Sequence, residues 1–298
     1  MSENKTKNIT IDAYAKINLH LDVTGIRSNG YHNIQSIMQS VSLCDIVDIE
    51  LIDDKKIIIE CDKLGVPTDE KNIAYKAASR FFDKAKFDGG AIIKIKKNIP
   101  MAAGLAGGSA DGAAVLVGLN ELCDGVVPED ELYALGASLG ADVPFCMHCG
   151  CCYTGGIGDE LLSIEPLDPR TILVIACGGE GVSTPTAYGL LDKKYNNFTD
   201  YIPRGYDDLV QGILSSNGNF HRYLFNIFEE PIANERPTVN KLKAIMLQNQ
   251  AYNAIMSGSG PSVFGVFKNI EDAQSAVKSI KEQGIFASIA FPTLKRNL

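Results

Sequence analysis

The stretch that most constrains this chain is residues 100–114, where Pro100 and Met101 lead into Ala102, Ala103, Gly104, Leu105, Ala106, Gly107, Gly108 and Ser109, and the run continues through Ala110, Asp111 and Gly112 into apolar sequence as far as Leu119. Residues this small let the backbone turn sharply and let an anion approach the peptide N–H groups closely. A helix that begins at such a turn adds unpaired N–H groups and the positive end of its dipole, so the junction is suited to holding phosphate. Two common phosphate motifs are excluded. No Gly-Lys-Ser/Thr closes the turn, and the spacing after Gly104 is not G-x-G-x-x-G. A flexible linker is a poor alternative, because Met101, Leu105 and the apolar run 113–119 give the turn structured flanks.

A chain of 298 residues, 45% of them hydrophobic, can bury a sizeable core, and two domains are expected, at 1–165 and 166–298. The net charge of −8, with no block of Lys or Arg, argues against a general nucleic-acid binder and for a small-molecule substrate. Lys94, Lys96 and Lys97 precede the turn, but the alternation over 92–96 accounts for Lys94 and Lys96 as the solvated face of a strand. Residues 1–7 are not followed by an apolar run of signal-peptide length, and no apolar run is long enough to span a membrane. The expectation is a cytoplasmic protein without a membrane partner, its oligomeric state open. Cys146 and Cys149 have C-x-x-C spacing around His148, followed by Cys151 and Cys152. With no second distant ligand pair, and with Val143, Pro144, Phe145 and Tyr153 around it, this cluster is expected to be a buried strand in which cysteine packs as a small apolar residue in preference to binding zinc.

Along the chain, 9–21 reads as a strand that places Lys16 and Asn18 on one side. Asn29-Gly30 marks a turn. The apolar segment 34–41 is of undecided type, and strands are expected at 46–52 and 57–61. Asn72 caps a helix over 72–85. Ser109 is the expected cap of a helix reaching Leu122, and 129–139 forms another that ends at Gly140. Asp142, alone, reads as a turn cap. Further strands are expected at 171–176, 252–256, 263–267 and 288–291, and helices at 207–214, 239–249 and 270–282. Two α/β layers explain this order best, with the domain transition near 165–168.

Three separated segments, 15–19, 100–114 and 256–265, resemble the GHMP kinase superfamily of small-molecule kinases. The longer match over 15–34, with Gly30-Tyr31-His32, together with 140–145 and with Val182, Ser183, Thr184 and Tyr188, is similar to the branch whose acceptor is a cytidine-diphosphate-linked methylerythritol. The resemblance implies an α+β, two-domain fold, N-terminally like ribosomal protein S5 domain 2 and C-terminally ferredoxin-like. It implies transfer of the ATP γ-phosphoryl group, with Mg²⁺, to the 2-hydroxyl of that acceptor in non-mevalonate isoprenoid precursor biosynthesis. Asp142 would be the general base and Lys16 would hold both that carboxylate and the attacking oxygen. Residues 100–109 would surround the triphosphate, with Ser109 aiding phosphate or Mg²⁺ placement. Asn72 and Lys97 would lie near the adenosine, or serve only as a helix cap and a surface charge. Tyr31 and Tyr188 would sandwich the pyrimidine, His32 would bond its polar edge and Asn18 would also touch substrate; by residue type alone, both tyrosines read as packing. The tip 257–262 would lie against the phosphate loop. Ala102, Ala106 and Ala110 depart from the glycines and serine usual in such loops. Competing readings are a homoserine or mevalonate-pathway kinase, opposed by Gly30-Tyr31-His32, and a non-catalytic ligand sensor, opposed by Lys16, Ser109 and Asp142.

Overall fold

Two strands, β1 (Asn8–Ile26) and β2 (His32–Ile52), form a long antiparallel hairpin on which the first layer is built. The computed structural model describes residues 7–158, 160–179, 181–215 and 218–297, so residues 1–6 of the N-terminal reading lie outside it. The hairpin turns where Asn29-Gly30 predicts: Gly30 takes φ +84° and donates to the Arg27 carbonyl (2.9 Å), and the Tyr31 N–H donates to the Asn29 side chain (3.2 Å). The undecided segment 34–41 and the strand expected at 46–52 are parts of one strand, β2. Pairing slips at Tyr14/Ala15, Asn18/His20 and Val23/Gly25. Each slip breaks the in–out alternation, which is why periodicity could not trace the strand through.

β3 (Ile57–Cys61) lies parallel to β4 (Gly90–Lys96), which pairs with one end of β2; β5 (Cys151–Gly155) pairs with the other end, and β6 (Glu160–Ile164) extends β5. Four helices accompany this sheet: α1 (Ile73–Ala85), α2 (Gly107–Leu122), α3 (Glu129–Leu139) and α4 (Val143–His148). Asn72 caps α1 as expected, accepting from the Ala74 N–H at 2.8 Å. α2 is buried from Ala110 to Leu119, apolar nearly all round, as a helix enclosed in a core must be. The cysteine cluster is buried, but only its end is strand: Cys146 lies on α4 and β5 begins at Cys151. Pro144 at the start of α4 explains the difference, since proline suits a helix's first turn and interrupts a strand.

The second sheet holds β7 (Ile172–Cys177), β9 (Asn253–Met256), β10 (Val263–Phe267) and β11 (Phe286–Ala290), all antiparallel, in the order β11-β7-β10-β9. With α8 (Pro237–Gln248) before β9 and α9 (Ile270–Lys281) before β11, this is the ferredoxin-like split βαβ arrangement. Between β7 and α8 lie α5 (Thr184–Lys194), α6 (Asp207–Leu214), the two-residue β8 (Phe225–Asn226) and α7 (Glu229–Glu235). β8 pairs with His20 and Leu21 of β1 and so joins the first sheet. α5 is absent from the sequence reading, although its start carries a signal: the Ser183 hydroxyl accepts from the Thr186 N–H (3.2 Å), and Pro185 stands in the first turn. Among the described residues no helix is long and apolar enough to cross a membrane.

Candidate active site

The glycine-rich loop and the start of α2 form one wall of a cavity of about 1220 Å³, whose other walls come from β1, β2, α5 and the β9–β10 hairpin. Positive φ recurs at Ala102 (51°), Gly104 (76°) and Ala106 (57°) but not at Ala103 or Leu105 between them. Alternating handedness of this kind gathers successive N–H groups into an anion-binding concavity. The helix then starts at Gly107, not at the expected Ser109 cap: Ala106 is the N-cap, in the left-handed region, and no side chain caps it. The first helical bond runs from the Ala110 N–H to the Ala106 carbonyl (2.8 Å), which leaves the N–H groups of Gly107, Gly108 and Ser109 without helical partners. No acidic side chain occupies that first turn, so the positive helix end stays open beside the concavity.

The hairpin tip lies against this loop, as expected. The Ser262 N–H donates to the Ala103 carbonyl and the Ser257 hydroxyl to the Gly104 carbonyl, both at 3.3 Å. A Cβ on Gly104 would collide with the Ser257 carbonyl oxygen, and one on Gly258 would lie 2.9 Å from the Gly104 oxygen. From the other side the Lys16 N–H donates to the Leu105 carbonyl (3.1 Å). Leu105 is the exception among the expected site residues: it is buried in the core and does not line the cavity.

Lys16, Asn18 and Asp142 face the same cavity. The Lys16 ammonium donates to Asn18 Oδ1 (2.6 Å), the Asn18 amide to the Ser36 hydroxyl (2.8 Å), and that hydroxyl to the His20 carbonyl (2.6 Å). This buried chain fixes the ammonium and leaves it further protons for a ligand. It differs from the expected arrangement, because Lys16 makes no ion pair with Asp142 here. Both charges nevertheless act on the buried Cys146 thiol, whose pKa is raised first by burial and then by Asp142, and lowered by Lys16.

Lys97 is no surface charge. Its ammonium lies buried between the carboxylates of Asp45 and Asp111, 2.7 Å from Asp111. Burial pulls its pKa down, but the two carboxylates outweigh that and hold it above the ordinary lysine value. Asp45 also accepts from the backbone N–H groups of Asn98 (2.6 Å) and Ile99 (2.8 Å), so one ion triad ties the strand entering the glycine-rich loop to the helix leaving it. Asp111 is pushed above the usual carboxylate range by burial first and the Asp45 charge in addition, against the pull of Lys97. Neither Asp45 nor Asp111 was assigned a role from the sequence. Asn72 lines the cavity too, but its carbonyl and one amide proton are committed to Ala74 and to the Pro67 carbonyl (2.6 Å).

Tyr31, His32 and Tyr188 also line the cavity. Here His32, in place of Tyr31, covers a face of Tyr188, with ring centroids 4.3 Å apart and planes at 26°. Tyr31 stands 61% exposed at the rim. His32 Nε2 lies 2.7 Å from Asp192 Oδ1, a partner missed in the sequence; its spacing, four residues after Tyr188, becomes informative only once the helix α5 is known.

Two family profiles match, described as GHMP kinases N terminal domain over residues 72–150 and GHMP kinases C terminal over 208–285. A 4-diphosphocytidyl-2-C-methyl-D-erythritol kinase of Caldicellulosiruptor bescii is 41% identical over 91% of this chain and 93% of its own, and that of Clostridium acetobutylicum is 38% identical over 92% and 96%. A crystal structure of 4-(cytidine 5'-diphospho)-2C-methyl-D-erythritol kinase superposes with a TM-score of 0.79 at 29% identity, covering 95% of this chain and 99% of that one. Homoserine kinase from Cytophaga hutchinsonii, at 21% identity and a TM-score of 0.73 over 100% and 98%, shares the fold. The two profiles take in the glycine-rich loop and the hairpin tip that braces it, and the chain belongs to the GHMP kinases, in the 4-diphosphocytidyl-2-C-methyl-D-erythritol kinase group.

Proposed function

We propose that the protein transfers the γ-phosphoryl group of ATP to the 2-hydroxyl of 4-diphosphocytidyl-2-C-methyl-D-erythritol, in the cytoplasm, as a step of the non-mevalonate route to isoprenoid precursors. The observation that carries this reading is a single cavity that joins an open helix end and anion-binding loop to the Lys16–Asp142 region and to the aromatic cluster at His32. The loop amides and the first-turn N–H groups of α2 hold the triphosphate. Asp142 accepts the proton of the attacking hydroxyl, and the Lys16 ammonium, steadied by Asn18, offsets the charge that spreads over the phosphoryl oxygens. Asn18 also meets the substrate, and Tyr31, His32 and Tyr188 receive the cytosine. Asn72 and Lys97 border the adenosine, Lys97 through its place beneath the loop.

The donor set suits magnesium. Ser109 offers one hydroxyl in the first turn of α2, and among the described residues no three His, Cys, Asp or Glu side chains are grouped to cage a metal. Mg²⁺ keeps several waters and binds largely through substrate phosphates, so Ser109 is the residue that would hold it, and when bound it neutralises phosphate charge.

The test is ATP-dependent phosphorylation by the purified protein of diphosphocytidyl-methylerythritol, homoserine and mevalonate side by side. Turnover of the first is expected, and activity confined to either of the others would defeat the assignment. Asp142→Asn should lower kcat by about 10²–10⁴-fold with ATP affinity kept; near-normal turnover would remove Asp142 from the mechanism.

A further inference from the structure

One helix holds His32 from two directions. Tyr188 and Asp192 stand four residues apart on α5 and so share a face of it. Tyr188 stacks on the imidazole while Asp192 Oδ1 meets its Nε2 at 2.7 Å, and Phe198 closes on the ring edge-on, with centroids 5.8 Å apart and planes at 74°. The histidine side chain is only 9% exposed, so its orientation is set before any ligand arrives. A carboxylate accepts hydrogen bonds and cannot donate them, which puts a proton on Nε2. In the neutral ring that leaves a lone pair on Nδ1. Among the described residues Nδ1 has no hydrogen-bond partner, and the ring lines the cavity. The polar group that the neutral ring leaves to a ligand is therefore an acceptor.

We propose that Asp192 is a positioning residue that sets base selectivity, by holding His32 in the tautomer whose Nδ1 accepts from the exocyclic amine of cytosine. Uracil carries a carbonyl oxygen where cytosine carries that amine, so the same lone pair faces another lone pair and opposes it. Discrimination of this kind works by leaving the wrong partner's polar group unpaired or repelled. The inference rests on the substrate reading above and goes beyond it, because the selecting charge is one residue removed from the base.

The experiment measures kcat/KM for the cytidine and uridine forms of the acceptor with the wild-type protein, Asp192→Asn and Asp192→Leu, together with side-chain ¹H–¹⁵N spectra that identify the His32 tautomer by the signals His32→Gln removes. The wild type should prefer the cytidine form by about 100-fold or more. Leucine has no acceptor and should cut that preference by about tenfold or more, chiefly through KM for the cytidine form, without moving KM for ATP. Asparagine offers an oxygen or an N–H₂ and should fall between. The wild-type spectrum should show His32 protonated at Nε2, and that of Asp192→Leu a mixture of tautomers. A preference undiminished in Asp192→Leu, or a wild-type His32 that carries a proton on Nδ1, alone or together with Nε2, overturns the proposal. Equal turnover of cytidine and uridine forms by the wild type overturns it while leaving the kinase assignment standing, whereas failure on both forms with activity on homoserine or mevalonate overturns the assignment and the proposal together. The wild-type spectrum and Asp192→Asn keep the test decisive should Asp192→Leu fail to fold.

Discussion

His20 is a fully buried imidazole whose two ring nitrogens have no hydrogen-bond partner among the described residues, packed between Tyr206 and Phe225 at centroid distances of 6.0 and 5.5 Å. Burial first, and the Arg204 charge second, pull its pKa from 6.5 to about 4, against an opposing pull from the Arg204 backbone. The folded protein therefore resists a proton that the unfolded chain accepts. The stability this confers is complete above pH 6.5 and is lost as pH falls toward about 4. Between pH 7 and about 4.5 the loss due to this residue should be roughly 2–3 kcal/mol. His20→Phe should keep the packing and flatten that part of the profile in urea titrations across pH; an unchanged acid slope would show that other groups cause it. At this scale the legible residues were those whose neighbours are close in sequence. Lys16 and Asn18 share a strand face and do bond, and Ala102 and Ala106 stand out as alanines at turn positions and do adopt positive φ. Asp45, Asp111 and Asp192 acquire meaning only from partners brought near by folding, so no local pattern marks them.

The glycine-rich loop is an element braced on three sides, by the hairpin tip, by β1 through Lys16, and by the buried triad at its base. The braces differ in kind. Removing Lys97 leaves two carboxylates facing each other out of water, the costly way to break a buried pair. Lys97→Met is expected to lower stability by about 3–5 kcal/mol and to weaken ATP binding, because Asp45 also positions Asn98 and Ile99 at the loop entrance. Urea unfolding and calorimetric titration with ATP check both, and a stable variant with unaltered affinity would reduce the triad to an ornament of the core. The hairpin brace acts through shape. Gly258 has φ +58° and its missing Cβ faces the Gly104 carbonyl, so Gly258→Val should displace the loop and raise KM for ATP about tenfold or more, with secondary structure by circular dichroism retained. Unchanged ATP kinetics would make the tip a mere connector. The elements themselves were largely legible, through periodicity and caps, with α5 the informative miss. Its first turn is marked by Ser183 and Pro185, but the following polar, tyrosine-rich sequence lacks an apolar stripe, and only Ala187 and Leu191 are buried.

Across the whole molecule, sequence order and spatial order part company. Neither the route of β2 past both β4 and β5 nor the return of β8 to β1 follows from local pattern, because strand pairing is decided by burial between distant segments. The last described residues show what such pairing contributes. After β11 leaves the second sheet, the chain crosses to the stretch of β2 between its β5 and β4 partners: the Ser42 N–H donates to the Phe291 carbonyl (2.8 Å), the Thr293 N–H to the Ser40 carbonyl (2.9 Å), and the Gln39 amide to the Thr293 carbonyl (3.0 Å). Farther on, the Arg296 N–H donates to the His148 carbonyl (2.9 Å) and its guanidinium lies over the Tyr14 ring, 5.7 Å from the centroid. The segment thus ties the sheet that supplies the hairpin tip to the sheet that supplies Lys16. Ending the chain after Ala290 would remove these bonds and uncover buried polar groups on Gln39 and Ser40. At about 1 kcal/mol net for each bond lost, the expected destabilisation is roughly 3–5 kcal/mol. Because the cavity needs both sheets in register, the truncated protein should also show a raised KM for ATP at temperatures where it remains folded. Thermal unfolding followed by circular dichroism, with ATP kinetics well below the midpoint, separates the two effects. Lost stability with unchanged KM would mean that the hairpin tip and the glycine-rich loop keep their registry through their own contacts alone.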